Sequence, residues 1–423
     1  MNRQISGGLS KGSCMDLSAC IRGIRGVVVK IRRRGMKRLT FLLLVAMFAL
    51  SCSVFAQDSA ARKIIIDTDT GADDASAIIL AASVPGIEIV GVTVLAGNVS
   101  LEQGTKNALA ALEIAGCDAP VFKGSDTRYD GTTISPHSVF GMDGMGDMDL
   151  IHPLGKAQEG DAIDFILDTV RDNPGEIEII MLGPATNIAK AMDKDPETMK
   201  KVKRIWSMGT SGINGPGNAS PVAEFNVYLD APAYKKLLDF DVPVTIIGLD
   251  VCDGDSKWND ENFKELTQSG MIGWFVADAF RIIREYYAKN GSVGSVMNCD
   301  GTAMMCVVYP DFVNDSRQCH GSCITEPGET YGQVLFYQKG FSYDMVSGDY
   351  DYNVTLICGV KREAFFLKYL YWISLLESSP GSMKEEQNDA IHQFKSKCKD
   401  NRRAAEGTQD ASGKSDFNHS RQE

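Results

Sequence analysis

The sequence predicts an α/β fold, organised as a single domain with a mostly parallel, doubly wound sheet. Short β-branched runs alternate along the chain with segments of helical periodicity, the pattern that a parallel sheet covered by helices produces. The predicted strands are mostly apolar, as expected when both faces of a sheet are buried. The 423 residues suffice for such a domain with an ample core.

The elements alternate in chain order. The first strand is predicted at 63–67, before a helix at 73–83, and the second at 87–95, before a helix at 101–116. Further strands are predicted at 177–182, 204–209, 243–249 and 353–359. Further helices are predicted at 160–172, 186–194, 231–238, 259–287, 300–309 and 361–376. In such sheets ligands bind at the carboxyl ends of the strands, so we expect the site there.

Residues 1–56 are predicted to be an upstream extension followed by a secretory signal peptide. The basic run IRRRGMKR precedes a short apolar run and then small residues near Ala56, the order that signal peptides show. We therefore expect an exported protein, periplasmic or secreted after cleavage near Ala56, that meets the membrane only during export. A membrane anchor over 39–56 is the alternative. A lipid anchor at Cys52 is not expected, since Ala49 stands where such sites usually carry Leu.

The charge is distributed unevenly. Residues 1–56 hold 10 Lys and Arg against 1 acid, although the whole chain has a net charge of −12. The remainder is therefore strongly acidic, which argues against nucleic acid as a partner because phosphates require positive charge. We place the folded domain at 57–377 and interpret the polar stretch 378–423 as a disordered tail.

Eight of the 11 cysteines follow Ala56. In an exported protein some of them could pair, and Cys319 and Cys323 are near enough in sequence to be candidates. The sequence has no CxxC pair and no His–Cys cluster with zinc spacing, so it does not predict a zinc site.

Four carboxylates cluster in the segment DTDTGADDA: Asp67, Asp69, Asp73 and Asp74. They lie where the first strand ends and the first helix begins. Carboxylates that converge at a backbone turn are typical of a site for a hard cation such as calcium. Helix capping would explain Asp73 and Asp74, since acids favour a helix N-terminus. It does not explain Asp67 and Asp69, which belong to the apolar strand and its end.

Two other acidic motifs do not fit this segment. Counted from Asp67, an EF-hand loop would need Gly and Glu where Ala72 and Ile78 stand. An aspartyl-phosphate phosphatase motif would need Thr or Val where Gly71 stands. The sequence contains no P-loop.

The DTDTGADDA segment resembles the signature of the inosine–uridine-preferring nucleoside hydrolases, calcium enzymes that cleave the N-glycosidic bond of ribonucleosides. The resemblance continues in family order over residues 62–376. It is carried by the segments VLAGNVS (94–100), MLGPATNIAKAM (181–192), WSMGT (206–210), GNASPVAEFNVYLD (217–230), CDGTAMMCVVYPDF (299–312) and NVTLICGVKREAF (353–365).

The resemblance implies a calcium site made of Asp69, Asp74, Asp300 and the backbone carbonyl of Thr186, with Asp67 in support. It also implies the reaction, which is attack on the ribonucleoside by a metal-bound water that Asp69 activates as general base. The products would be ribose and a free purine or pyrimidine base. This chemistry is reasonable because a cation lowers the pKa of its water and a carboxylate can take the proton. Family members commonly form homo-oligomers, so a second copy could be a partner.

A further set of polar residues matches the family's substrate-binding positions. Asn and carboxylate side chains suit vicinal hydroxyls because they donate or accept with fixed geometry. For Asn218 and Asn226 the alternative is turn formation, since Asn is common in loops. The predicted substrate-binding residues are Asp73, Asn98, Met208, Asn218, Glu224, Asn226 and Asp300.

The chain departs from the family at the groups that protonate the leaving base. Many members have His before the late Asp, where this chain has Cys299, and His in a loop HG motif, where this chain has Phe140. Cys299 and His137 are the candidate leaving-group acids, the latter with an exposed loop histidine as its alternative. The preferred base cannot be predicted from these residues.

Three functions remain open at this stage. The first is ribonucleoside hydrolysis. The second is a calcium-dependent ribosyl-binding protein with weak turnover, which the missing histidines would explain. The third is hydrolysis of another N-ribosyl metabolite. Retention of Asp69 favours an enzyme, because a binding protein has no use for a base beside the attacking water.

Overall fold

The structure is a computed structural model that describes residues 61–136, 139–147, 151–289, 295–339 and 350–378. The predicted signal peptide and the tail beyond Ser378 lie outside these ranges, as does His137. Within them, no helix has the length and hydropathy needed to cross a bilayer.

A nine-stranded sheet forms the centre of the described chain, and seven of its strands are parallel. The seven are β1 (Arg62–Thr68), β2 (Ile87–Val94), β3 (Val121–Lys123), β4 (Glu178–Met181), β5 (Arg204–Met208), β6 (Val244–Ile247) and, later in the chain, β11 (Val354–Val360). A small separate pair, β7 (Trp258–Asn259) and β8 (Ser295–Val296), is antiparallel. The fold-class prediction is therefore confirmed.

Two strands complete the sheet at one edge. β9 (Val313–Cys323) and β10 (Val334–Gln338) are antiparallel to each other, and β9 is antiparallel to β11. The sheet order is β10-β9-β11-β6-β5-β4-β1-β2-β3.

Helices cover both faces of the sheet. The early ones are α1 (Ala72–Ser83), α2 (Leu101–Ile114), α3 (Ala162–Asp172), α4 (Thr186–Lys194), α5 (Pro196–Met199), α6 (Phe225–Leu229) and α7 (Ala231–Leu238). The later ones are α8 (Leu249–Cys252), α9 (Asp260–Ser269), α10 (Met271–Ala279), α11 (Arg281–Lys289), α12 (Cys299–Val308) and α13 (Arg362–Ser378). Short 3-10 turns lie at Gly254–Ser256 and Pro310–Phe312.

The alternation of side chains along β1 builds a core on each face. Ile64 and Ile66 join one buried cluster, which includes residues of α1, α2, α12 and α13. Ile65 joins the other, which includes residues of α3, α4 and α7. All three isoleucines are fully buried, so β1 is covered on both faces, as its apolar sequence predicted.

The strand order reverses direction at β1. From β1 the chain moves to β2 and β3 on one side, and then returns to β4 on the other. Such a reversal opens a crevice at the carboxyl ends of the two central strands, where ligands bind in α/β sheets. The acidic segment after β1 lies at this crevice.

Three sequence expectations need correction. The helix predicted at 259–287 is three helices, because Gly270 has φ 153 and separates α9 from α10, and Phe280 separates α10 from α11. Strands β3, β9 and β10 were not predicted. Cys319 and Cys323 are free and lie on one extended strand, where four residues span about 13 Å, too far for a disulfide.

Candidate active site

A cavity of about 680 Å³ lies at the carboxyl edge of the sheet. It receives residues from α1, from the loops after β2, β3, β4 and β5, and from α6, α11 and α12. All seven residues predicted to bind substrate line it: Asp73, Asn98, Met208, Asn218, Glu224, Asn226 and Asp300. The structure therefore brings together positions that are up to 227 residues apart in sequence, as their shared site requires.

Asn98 connects two of the carboxylates at the end of β1. Its backbone N–H donates to Oδ2 of Asp69 at 2.6 Å, and its side-chain amide donates to Oδ2 of Asp74 at 3.2 Å. Asp74 also accepts from the Thr68 hydroxyl at 2.5 Å and from the Gly71 N–H at 2.8 Å. These bonds fix the orientation of both carboxylates while leaving Oδ1 of Asp69 buried without a hydrogen-bond partner among the described residues.

Asp73, Asp74 and Asp300 form the closest carboxylate group. One oxygen from each lies within 4.8 Å of the others, and all three residues are buried. Oδ1 of Asp73, like that of Asp69, is buried and has no hydrogen-bond partner in the described chain. This geometry places Asp73 beside the predicted ligands Asp74 and Asp300, whereas the sequence assigned Asp73 to the substrate alone.

Burial and mutual repulsion oppose ionisation of this cluster. Burial and the neighbouring charges of Asp74 and Asp73 raise the pKa of Asp69 well above its ordinary value. The same two causes raise the pKa of Asp73 to about 8, and that of Asp300 well above its ordinary value. A cation among these oxygens would remove the cause of the repulsion, which is the electrostatic reason to regard the cluster as a metal site.

Asp67 lies behind the cluster, on β1 itself. Its Oδ1 accepts from the Thr93 hydroxyl at 2.6 Å and from the Asn187 amide at 2.8 Å. Burial raises the pKa of Asp67 to about 7 despite these two bonds. Its contacts tie β1 to β2 and α4, which agrees with the supporting role predicted for it.

Thr186 begins α4, immediately after the loop that follows β4. It is buried, and its hydroxyl donates to Oδ2 of Asp230 at 2.6 Å. This hydrogen bond fixes the orientation of Thr186 through its side chain. The part played by its backbone carbonyl as a calcium ligand stays a prediction.

Glu224 and Asn226 organise the α6 end of the cavity. The Glu224 carboxylate caps α6 by accepting from the N–H groups of Asn226 at 2.9 Å and Val227 at 3.1 Å. Burial raises the pKa of Glu224 to about 7, although those N–H groups lower it. Asn218 accepts from the Phe225 N–H at 2.8 Å through Oδ1. Asn218 therefore both stabilises the turn and lines the cavity.

Apolar and aromatic residues form another part of the lining, the apolar wall, and most of them were not predicted. Tyr286 and Tyr287 come from α11, and Phe140 comes from the loop after β3. Phe225 also lines the cavity, whereas Trp206 is buried in the core. No sequence signal marks the α11 residues, because their approach depends on the helix breaks before α11. The remaining members of this wall are Val139, Ile282, Ile283 and Met297.

Comparison with known proteins decides the family. The profile of the family described as inosine-uridine preferring nucleoside hydrolase matches residues 64–367. The chain belongs to this family. Its relatives include uridine nucleosidase 1 from Arabidopsis thaliana, which is 36% identical over 253 residues, 59% of this chain and 75% of the relative. Family membership makes this nucleoside hydrolase an N-glycosyl hydrolase by class.

Solved nucleoside hydrolases share the fold. A plant nucleoside hydrolase aligns with a TM-score of 0.67 and 27% identity over 75% of this chain and 99% of its own. A purine-preferring ribonucleoside hydrolase from Gardnerella vaginalis aligns with a TM-score of 0.67 and 28% identity over 74% and 99% of the two chains. Proteins named for a pyrimidine nucleoside and for purines are thus both among those similar to this nucleoside hydrolase.

The candidate leaving-group acids of this nucleoside hydrolase differ in what the structure says of them. Cys299 lines the cavity next to Asp300. A hydrogen bond with Cys252 and burial raise the pKa of its thiol well above the ordinary value. His137 lies outside the described residues, so its role stays a prediction.

Proposed function

We propose that this chain hydrolyses the N-glycosidic bond of ribonucleosides, with Ca²⁺ as cofactor, and releases ribose and a free purine or pyrimidine base. The observation that carries the proposal is one cavity whose lining combines two kinds of side chain. Buried carboxylates and amides line it together with apolar and aromatic residues. A ribonucleoside likewise combines a polyhydroxylated sugar with a flat base.

The donor set fits calcium. Carboxylate oxygens from three residues converge within 4.8 Å, and hard divalent cations prefer oxygen ligands. Oδ1 of Asp69 and Oδ1 of Asp73 are buried and lack partners among the described residues, as atoms reserved for a ligand would be. The three converging residues are Asp73, Asp74 and Asp300. Asp74 and Asp300, together with Asp69 and the Thr186 carbonyl, would hold the ion, with Asp73 adjacent. When bound, such an ion lowers the pKa of a water molecule and orients it.

Asp69 is the residue we assign to proton removal from the attacking water. Its Oδ2 is engaged by the Asn98 N–H, so its Oδ1 is the oxygen with capacity to accept a proton. The Asn98 bond also fixes the carboxylate against rotation. A general base needs such a defined position, because proton transfer requires hydrogen-bond distance to the water.

The sugar is held by residues whose own hydrogen bonds leave one atom available. Asn218 uses Oδ1 to accept from Phe225, which leaves its amide to donate. Asn226 donates through its amide to the Leu182 carbonyl at 2.6 Å, which leaves its Oδ1 to accept. Such fixed donors and acceptors discriminate vicinal hydroxyls, and binding energy gained there can be used to distort the sugar toward an oxocarbenium-like transition state.

The base would lie against the apolar wall formed by residues such as Phe140 and Tyr287. An aromatic wall accepts the face of any base, which agrees with the mixed substrate names among the relatives. Export after cleavage near Ala56 is part of the proposal and is supported by the signal-like segment before that residue. N-terminal sequencing of the chain recovered from its producing cells would test it.

A panel assay tests the function directly. We expect the chain to release ribose from purine and pyrimidine ribonucleosides and the Asp69→Asn variant to lose at least about 100-fold in kcat, since general bases contribute on that scale. Asp126→Asn, at an exposed carboxylate outside the cavity lining, is the matched control and should retain activity. Binding of ribonucleosides without release would favour a ribosyl-binding protein, and release only from other N-ribosyl compounds would favour the third function.

A further inference from the structure

The loop that follows β5 has an unusual backbone. Thr210 has φ 75 and Gly212 has φ 77. A β-branched residue with positive φ is strained, and such conformations persist only where the surroundings enforce them. The loop leads to Gly217 and Asn218, both of which line the cavity. Its shape therefore decides where the Asn218 side chain is presented.

Two carboxylates enforce this shape. Glu224, inside the cavity, accepts from the Thr210 N–H at 3.3 Å. Asp250, in the first turn of α8, accepts through Oδ2 from the N–H groups of Ile213 at 3.0 Å and Asn214 at 3.3 Å. Asp250 is not among the residues that line the cavity, so it contacts the loop without lining the cavity itself.

The fit between Asp250 and the loop is close enough to require glycine. A Cβ on Gly212 would lie 1.9 Å from Oδ1 of Asp250. A Cβ on Gly248 would lie 2.7 Å from the Cα of Gly212. Gly215 also packs on Asp250, since a Cβ there would lie 3.3 Å from the Asp250 Cβ. The loop is therefore folded around this one carboxylate rather than merely adjacent to it.

The arrangement places the Asp250 carboxylate in an unfavourable environment. Its Oδ1 is buried with no hydrogen-bond partner in the described chain, and burial raises the pKa of the carboxyl, although the bonds from Asn214 and Ile213 lower it. A buried acceptor without a partner destabilises the folded state. Arg362 fixes the same turn from the other side by donating to the Asp250 carbonyl at 2.7 Å.

We propose that Asp250 is a positioning residue for nucleoside binding, whose carboxylate holds the loop 211–217 so that Asn218 is presented to the ribose in the cavity. This inference rests on the proposed function. Asp250 acts through the loop and does not touch the substrate. It should therefore affect the binding of substrate and of transition state equally, which changes KM more than kcat.

The test compares Asp250→Ala with a matched carboxylate. Glu113 also accepts two consecutive backbone N–H groups of a loop, from Leu154 at 3.2 Å and Gly155 at 2.6 Å, but neither residue lines the cavity. We expect Asp250→Ala to raise KM about tenfold with kcat within about threefold of wild type. Glu113→Ala should leave both parameters unchanged. Asp250→Asn keeps an oxygen that can accept from the loop, so its KM should lie between those of wild type and Asp250→Ala.

Hydrogen exchange of the peptide segment 211–218 gives a readout that does not depend on activity. It should be faster in Asp250→Ala than in wild type and unchanged in Glu113→Ala. An unchanged KM in Asp250→Ala would overturn the proposal, and so would an equal loss of kcat in Asp250→Ala and Asp250→Asn. If Asp250→Ala does not fold, a KM in Asp250→Asn equal to that of wild type overturns it. If the wild-type chain releases no ribose, the proposed function fails, and the Kd of a ribonucleoside replaces KM in the same comparison.

Discussion

The Asp69 carboxylate is held by the backbone of Asn98, whose N–H donates to Oδ2 at 2.6 Å. The bond joins the end of β1 to the loop after β2, so these two neighbouring parallel strands together set the position of Asp69, the proposed general base. A backbone donor cannot be removed by changing the Asn98 side chain. The position of the Asp69 carboxylate depends instead on the surrounding glycines, because a side chain at those positions would displace it.

Gly97→Ala should inactivate the enzyme without unfolding it. A Cβ at Gly97 would lie 2.0 Å from Oδ2 of Asp69, so the carboxylate must move. Displacement of a reacting group by about 1 Å can cost on the order of 100-fold in rate, which is the loss we expect in kcat. Gly131→Ala is the control, since a Cβ there meets nothing within 4 Å, although its φ of +83 adds backbone strain that Gly97 does not have. Equal activity in the two variants would contradict the assigned role of Asp69.

Cys299→Ser should retain activity within about fivefold of wild type, because general acids contribute at least about 100-fold and this thiol is a poor acid. The hydrogen bond with Cys252 and burial both raise its pKa, which makes proton donation less favourable. Ribose release from purine and pyrimidine nucleosides is the measurement, with half-buried Cys358→Ser as control. A loss of 100-fold or more, confined to Cys299→Ser, would identify Cys299 as the leaving-group acid.

Glu178→Gln should destabilise the protein at neutral pH and have little effect in acid. Burial alone would raise the pKa of Glu178, but hydrogen bonds from Arg62, Trp206 and Lys203 lower it to about 2. The charged carboxylate therefore stabilises the fold above its ordinary pKa of 4.5, and this stabilisation is lost as the pH falls towards 2. Urea unfolding should show a loss on the order of 2 kcal/mol at pH 7 and less than half of that loss at pH 3, since pH 3 is still above the folded-state pKa of about 2.

Glu176→Gln is the control for that experiment. Glu176 pairs with Lys63 at 2.9 Å, but its side chain is 60% exposed. Exposed ion pairs contribute little to stability, so this variant should unfold close to wild type at both pH values. If Glu178→Gln behaved like Glu176→Gln at pH 7, the buried network would not have the stabilising role we assign to it.

Glu377→Ala should lower stability without changing activity. The Glu377 carboxylate accepts from the N–H groups of Met271 at 2.9 Å and Ile272 at 3.0 Å, and so caps α10 from the end of α13. Loss of such a cap costs about 1 kcal/mol. Urea unfolding measures the loss, with Glu363→Ala in the first turn of α13 as control. A change in KM would show instead that α10 communicates with the cavity.

The sequence was sufficient to predict six of the seven parallel strands and the polar residues that line the cavity. β1 has three consecutive buried isoleucines at its centre, and the residues around Asp69 follow that strand directly, so local pattern and position agree. β9 was missed because its sequence, VNDSRQCHGSC, has little strand character of its own and is extended by pairing with β11 and β10. Tyr286 and Tyr287 were missed because the break at Phe280, which starts α11, has no marker in the sequence.

Calcium dependence of ribose release is the most direct test of hydrolysis at the proposed metal site. The full chain would be assayed with inosine and uridine after chelation and again after Ca²⁺ is added back, alongside Asp74→Ala. We predict that chelation abolishes release, that Ca²⁺ restores it to the wild-type chain, and that Asp74→Ala stays inactive in both conditions. Full activity in chelator, with the protein metal-free by elemental analysis, would show that hydrolysis does not depend on calcium.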